Sequence, residues 1–351
     1  MKTLRDYILQ ESVLNGQDAH MKTGTYEAAS VIIDEFIGNN YISKSKYKIK
    51  KRPNKDGKYI VDFGKAGYIE LSPNATSFTN DIFVIEFCKT LVIKNNQNIT
   101  NLVGAPESIM QLSIDNCSNF KSFEGLPNFL AKPNEVTVLE LIRMNNITDL
   151  MSLNEYINIP ESIRLNINQC NSFKSLKGCP EKLHKLEITM CNSLTDLSYA
   201  PTTCNGIRIS SCDSFKSLKG CPENLGDGKW YSGLNIAYCD NLTSFEGSPK
   251  NINGNIDVRN CEGLTSLKGL PKHIKQFYGS NLGVSSLYGA PESVDNDFTL
   301  DSCDNLTSLE GCPKKVGGEF AITRCHNIDV TEDNIKLLCD ANKFYLWANG
   351  K

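Results

Sequence analysis

The stretch Leu183 to Pro201, LHKLEITMCNSLTDLSYAP, places Leu183, Leu186, Ile188, Cys191, Leu194 and Leu197 at positions 1, 4, 6, 9, 12 and 15, and a proline closes it. An apolar-x-apolar step is strand alternation, so Leu186 and Ile188 face one side of a strand. Indexed on Cys191, the same apolar pair recurs through most of the chain. It precedes Asn96 (Leu91, Ile93), Cys117 (Leu112, Ile114), Cys170 (Leu165, Ile167), Cys212 (Ile207, Ile209) and Cys239 (Leu234, Ile236). It also precedes Cys261 (Ile256, Val258), Cys303 (Phe298, Leu300) and Cys325 (Phe320, Ile322). One such unit cannot bury its apolar face alone. Stacked units bury it as one core, which is the logic of a solenoid.

This is the leucine-rich-repeat spacing. The expected fold is a right-handed leucine-rich-repeat solenoid, α/β in class but mostly β and irregular, with repeats of about 20–27 residues. At the ninth position the chain leaves the strand and backbone groups turn inward without ladder partners, so a small buried donor is needed. Asn serves well, and Cys is a small hydrophobe with a weak S–H donor. Cys117, Cys170, Cys191, Cys212, Cys239, Cys261, Cys303 and Cys325 are therefore expected to form a ladder of buried free thiols. The tail S-L-x-G-x-P ends most units. Its glycines suit a tight turn at positive φ, and its prolines are expected to stop strand pairing on the convex side, leaving extended, polyproline-like or short 3₁₀ segments. Met144 takes the ladder position in one unit. The unit near Asn281 reads as one residue short, with Phe277 and Tyr278 fitting either register. The run from Pro222 to Trp230 is an insertion on one edge.

Composition bounds the function. Net charge is −3, so no global basic field argues for nucleic acid. No run of 18 apolar residues suggests a membrane helix, and the N-terminus lacks the apolar core of a secretory signal. Fourteen cysteines at solenoid period, without such a signal, read as reduced structural thiols.

In chain order, residues 1–24 read as a short amphipathic helix and polar linker. Residues 25–67 read as an α/β N-terminal cap: a helix over 25–38, with Thr25 as cap, Val31, Ile32, Phe36 and Ile37 as apolar face and Gly38 at its end, then a β-hairpin turning at Asn54 to Gly57. The lysine face Lys44, Lys46, Lys48 and Lys50 could meet nucleic acid, but a protected edge strand is the plainer reading. Residues 68–330 form the solenoid, with Asn74 as its first ladder position, and residues 331–351 a C-terminal capping helix and tail. There Ile335, Leu338 and Cys339 share a face, and Phe344, Tyr345 and Trp347 cover the last core edge.

No phosphate loop, no His-Glu-x-x-His and no Cys-x-x-Cys occurs, so no catalytic residue, metal ligand or cofactor is expected. Asp297 and Asp301 share a predicted strand face, which reads as solvated. The outward strand positions define a candidate concave binding face: Arg164, Asn166, Lys185, Glu187, Arg208, Asn235, Asp257, Arg259, Asp297 and Asp301. As read from sequence it is small, polar and mixed in charge, without the Trp, Tyr and Arg cluster of a strong hot spot.

Ser266-Leu267-Lys268-Gly269-Leu270-Pro271, Leu306 to Gly311 and Pro313 to Phe320 resemble the leucine-rich-repeat proteins encoded by tailed bacteriophages and their prophages. The resemblance covers about residues 58–330. Residues 1–11, MKTLRDYILQE, resemble the capsid-targeting peptide of T-even phage internal head proteins, whose cleavage pattern Leu9-Gln10-Glu11 matches. These resemblances imply a non-enzymatic virion or internal head protein that acts as a protein-binding scaffold, processed at Leu9 to Glu11. The alternative is a phage product that binds a host protein. Localisation would be the phage head or the host cytoplasm, with a protein partner and no membrane.

Overall fold

The computed structural model describes residues 26–42, 45–64, 67–78, 81–130, 135–151, 153–156, 163–229, 232–329 and 331–347. It is mostly β, parallel and solenoidal, with few helices. Two compact units divide the chain: Met1–Asn146 with Tyr156–Pro160, and Ile147–Glu155 with Glu161–Lys351.

In the first unit, helix α1 (Tyr26–Asn40) buries the i, i+4 stripe Ala29, Ile33 and Ile37. Val31 lies two residues off that stripe, on the far side of the helix, and is 65% exposed, contrary to the expected face. Gly38 does not end α1. The helix runs on to Asn40, whose amide donates to the Phe36 carbonyl at 2.9 Å. Thr25 lies outside the described residues. Strands β1 (Lys48–Ile49) and β2 (Tyr59–Asp62) pair antiparallel as the expected hairpin. The Asn54 side chain closes its turn by accepting from the backbone of Asp56 and Lys58. From here all pairing between named strands is parallel.

The chain continues as β3 (Tyr68–Leu71), β4 (Phe83–Phe87), β5 (Thr90–Lys94), β6 (Ser108–Ile109), β7 (Gln111–Asp115), β8 (Asn128–Phe129) and β9 (Thr137–Ile142). They form two columns, β2-β4-β6-β8 and β3-β5-β7-β9. Register stacks Ile69, Leu91, Leu112 and Leu139 into one fully buried row, and Leu71, Ile93, Ile114 and Leu141 into another.

The second unit contains β10 (Ile163–Asn168), β11 (Lys182–Thr189), β12 (Thr203–Ser210), β13 (Asn224–Leu225), β14 (Gly233–Ala237), β15 (Asn251–Ile252), β16 (Asn255–Cys261) and β17 (His273–Ile274). It continues with β18 (Gln276–Leu282), β19 (Ser293–Val294), β20 (Phe298–Asp301), β21 (Lys315–Thr323) and β22 (Asp340–Trp347). Its main sheet runs β10-β11-β12-β14-β16-β18-β20-β21-β22, in register. Towards its end the inward row is aromatic. Phe277, Phe298 and Phe320 stack with ring centroids 5.1 and 5.5 Å apart. The short strands β13, β15, β17 and β19 pair two or three residues after the prolines, so proline does not abolish pairing at that edge as expected. The tails themselves are turns. In S-L-x-G the serine hydroxyl accepts from the backbone two residues on, as Ser308 does from Glu310 at 3.0 Å. The glycine then takes positive φ. At Gly269 (φ +102) a Cβ would lie 2.3 Å from the Phe245 carbonyl of the preceding repeat, so conformation and space both demand glycine.

The ninth-position cysteines are fully buried and free. Each thiol donates back to the carbonyl two residues earlier, as Cys239 does to Ala237 at 3.3 Å. Cys117 and Cys191 also reach Ile93 and Ile167 of the preceding repeat, at 3.6 and 3.7 Å. Asn96 does more. It donates to the Ser72 and Ala75 carbonyls at 2.8 and 2.9 Å and accepts from Asn98 and Ile99. Two ladder assignments change. Asn74 is exposed and Ala75 is buried in its place, because that turn carries one more residue before the inward position. In the unit near Asn281 the buried residue is Leu282, paired with Cys261, so the repeat is of full length. Phe277 points in and Tyr278 out. Gly279 takes the second inward place, where the side chains of Leu282, Leu300 and Phe277 fill the space a Cβ would need.

At the C-terminus, Thr331 caps α2 (Glu332–Lys336) by accepting from Asn334, as expected, but the helix is one turn long. Ile335 and Cys339 are buried, whereas Leu338 is 51% exposed. Residues expected as a covering tail instead form β22, which adds another parallel strand and sets the Phe344 ring beside Phe320, tilted by 52° with centroids 6.3 Å apart.

Candidate binding face

The strand residues between the buried ones form the solvent face of the main sheet. On β10 and β11, Glu187 accepts from Lys185 at 2.7 Å and lies 3.8 Å from Arg164. Asn166 stands in register with Glu187, and Arg208 follows on β12 and Asn235 on β14. Arg208 is exposed and has no ion pair or side-chain hydrogen bond among the described residues. On β16 Asp257 clamps Arg259 with two hydrogen bonds of 2.7 and 2.8 Å. The Arg259 guanidinium lies 4.6 Å from the centre of the Tyr278 ring.

Asp297 and Asp301 do not form a freely solvated pair. Asp297 accepts from the Glu319 backbone at 2.8 Å. Asp301 is 4% exposed and is held by Nε and Nη2 of Arg324 and by the Thr323 hydroxyl at 2.7 Å. Burial pushes the Asp301 carboxyl up, but hydrogen bonds from Arg324 and Thr323 and the Arg324 charge together hold it below the ordinary aspartate range. The first unit repeats this device. Asp115, 8% exposed, holds Arg143 through two hydrogen bonds of 2.8 and 2.5 Å.

Sequence reasoning missed Arg143, Tyr238, Tyr278 and Arg324. Three of them stand one residue before the ladder position, beyond strand alternation. There the backbone turns left-handed in repeat after repeat (Arg143 φ 51, Tyr238 φ 55, Arg324 φ 52). That turn carries Arg143 and Arg324 back over the solvent face, onto the last strand carboxylate of the preceding repeat. An Asp two before the ladder and an Arg one before the next ladder would have marked it. Tyr278 was hidden by its ambiguous register. The face therefore does carry an aromatic and arginine cluster: Tyr238, Arg259, Tyr278 and Arg324.

Other expected positions carry no comparable geometry. Leu9, Glu11 and Lys44 lie outside the described residues. Lys46 and Lys48 are exposed, and Lys50 pairs with Glu86 at 2.7 Å. Burial raises two of the ladder thiols, Cys239 to about 12 and Cys261 to about 11, so these stay protonated at neutral pH, whereas the hydrogen bond with Cys303 lowers Cys325. A cavity of about 490 Å³ is lined by Lys250, Lys272, His273 and Lys275, but carboxylates or a carbonyl already hold each of them. Inserted residues 226–229 lean on the neighbouring repeat, where the Gly228 amide donates to Asn253. Among the described residues no group of three or more His, Cys, Asp or Glu could hold a metal ion, and no helix is long and apolar enough to cross a membrane.

A scan against protein-family models finds no match, and searches of the curated proteins and of the solved structures return none either.

Proposed function

We propose that this chain is a non-enzymatic leucine-rich-repeat binding protein of a tailed bacteriophage, carried in the head, whose sheet face docks a protein partner. The repeat spacing and the likeness of residues 1–11 to a capsid-targeting peptide support the phage part of this reading. The binding part rests on one observation, the cluster of Tyr238, Arg259, Tyr278 and Arg324 on the solvent face. Tyr and Arg are enriched at interface hot spots, Tyr as a large rigid contact and Arg as a planar hydrogen-bonding fork. Here Asp257 and Asp301 already hold both guanidiniums in place, so a partner meets a preorganised surface.

The test combines location and contact. Purified particles are analysed by mass spectrometry and the recovered chain is sequenced from its N-terminus. Ser12 as first residue supports head packaging. Absence from particles, with Met1 intact in infected cells, rejects it and favours a host-directed binding protein. A photo-crosslinking residue in place of Tyr278 should trap one partner; crosslinks only from the opposite edge of the repeats would reject this face.

A further inference from the structure

All the cysteines are free, and all but three are buried. The exceptions, Cys179, Cys221 and Cys312, share one place in the repeat: each stands between the positive-φ glycine of a tail and its proline. They differ in what they face. Burial, and then the nearby Cys204, raise Cys179 and Cys221, the latter to about 12, and neither has a hydrogen bond to a thiol among the described residues. Cys312 shares a hydrogen bond with a second thiol, that of Cys339. Two other pairs do the same, Cys170 with Cys191 and Cys303 with Cys325, but all four residues are 0% exposed within the ladder.

Backbone pairing brings Cys312 and Cys339 together. Cys339 is the residue before β22, and the first amide of that strand, Asp340, donates to the Lys314 carbonyl at 2.9 Å, two residues beyond Cys312. The Cys339 amide donates to the Ile335 carbonyl at 2.9 Å, and the residue is 3% exposed. What lies over it is thin. Helix α2 is one turn long, and Leu337 and Leu338 are 85% and 51% exposed. So short a helix has little stability of its own, and local opening there admits a small solute to Cys339.

We propose that Cys312 and Cys339 are a redox site: a hydroperoxide converts the pair to a disulfide that ties the entry to β22 onto the tail of the preceding repeat, and a thiol reductant reopens it. The shared hydrogen bond lowers Cys339 below the ordinary thiol value and raises Cys312, so the pair gives up one proton and the charge settles on Cys339. The Cys339 thiolate attacks one oxygen of the hydroperoxide. The O–O bond breaks, the departing oxygen takes up the released proton, and Cys339 becomes a sulfenic acid. The Cys312 sulfur then attacks the Cys339 sulfur. An S–S bond forms, the S–O bond breaks, and hydroxide leaves as water with the Cys312 proton. The two thiols lose two electrons in total, and the peroxide gains them.

The test uses the full chain, reduced, freed of reductant and treated with a small excess of hydrogen peroxide. It is then denatured, alkylated and digested without reduction. Mass spectrometry should find peptides joined through Cys312 and Cys339 before any other thiol is consumed, and dithiothreitol should restore both. Cys312→Ala removes the resolving thiol, so Cys339 should then remain as a sulfenic acid that dimedone traps. Cys312 is only half-buried, so this variant should keep the parent's circular dichroism spectrum. Oxidation should also slow tryptic cleavage after Lys336, in α2, about tenfold or more, because the crosslink restrains local opening. Cys312→Ala should lose that protection. Consumption of Cys179 or Cys221 as fast as the pair, the absence of the joined peptide, or a joined pair with cleavage unchanged overturns the proposal.

Discussion

Replacing Cys191 by alanine tests the ladder directly. The thiol is fully buried and donates to the carbonyls of Thr189 at 3.4 Å and Ile167 at 3.7 Å. Deleting one buried heavy atom of methylene size forfeits about 0.8 kcal/mol of transfer free energy. Loss of a weak hydrogen bond adds about 0.5–1 kcal/mol. The stacked neighbours Cys170 and Cys212 limit collapse into the gap, which adds a few tenths, roughly, for the cavity. Cys191→Ala should therefore cost about 1.5–2.5 kcal/mol. Cys191→Asn should behave differently. Asn96 shows that an amide at this position reaches the carbonyl three residues before the preceding ladder residue and also accepts from the following turn. The matching carbonyl at position 191 is Ile167, already the thiol's target. The asparagine variant should stay within about 0.5 kcal/mol of the parent, added hydrogen bonds offsetting amide desolvation. Urea unfolding followed by circular dichroism gives both midpoints, provided the slopes agree. An alanine variant as stable as the asparagine variant would refute the argument that the ladder satisfies inward-turned backbone.

Three further outcomes follow from the geometry. Gly269→Ala should destabilise by about 2 kcal/mol or more, combining an unfavourable φ with the 2.3 Å approach to Phe245; a thermal midpoint equal to the parent's would show that the repeats can shift apart cheaply. Arg324→Gln should lower the unfolding midpoint at pH 7. Because Asp301 is held below its unfolded-state value, that contribution is present above about pH 4 and fades as pH falls through the folded value, so the two proteins should converge in acid; a constant gap down to pH 2 contradicts this. A thiol reagent should find few reactive groups in the native chain, Cys179, Cys221 and Cys312 first since they are only half-buried, and all fourteen in denaturant; rapid native labelling of most thiols rules out a sealed ladder.

The repeat was legible because its cause is local and periodic. An apolar-x-apolar pair, a small ninth residue and a glycine before proline each answer a backbone need within one unit, and repetition multiplies the signal. The buried rows, the thiol ladder and the positive-φ glycines follow from residue type alone. Whatever depended on neighbours was hidden. Val31 and Leu338 are apolar enough to be core, yet Val31 lies on the far side of α1 and Leu338 falls in the exposed turn after α2. Asn74 and Asn281 have the right chemistry one residue out of phase. The C-terminal segment has helical caps, but the open edge of β21 offers a ladder of hydrogen bonds that a short helix cannot match, and residues 340–347 pair with it. The face shows the same division. Alternation identified Arg208, Asp257 and Arg259. Only the left-handed residue before each ladder position, set by the way consecutive repeats stack, brings Tyr238 and Arg324 onto that face and buries Asp301 beneath an arginine from the next repeat.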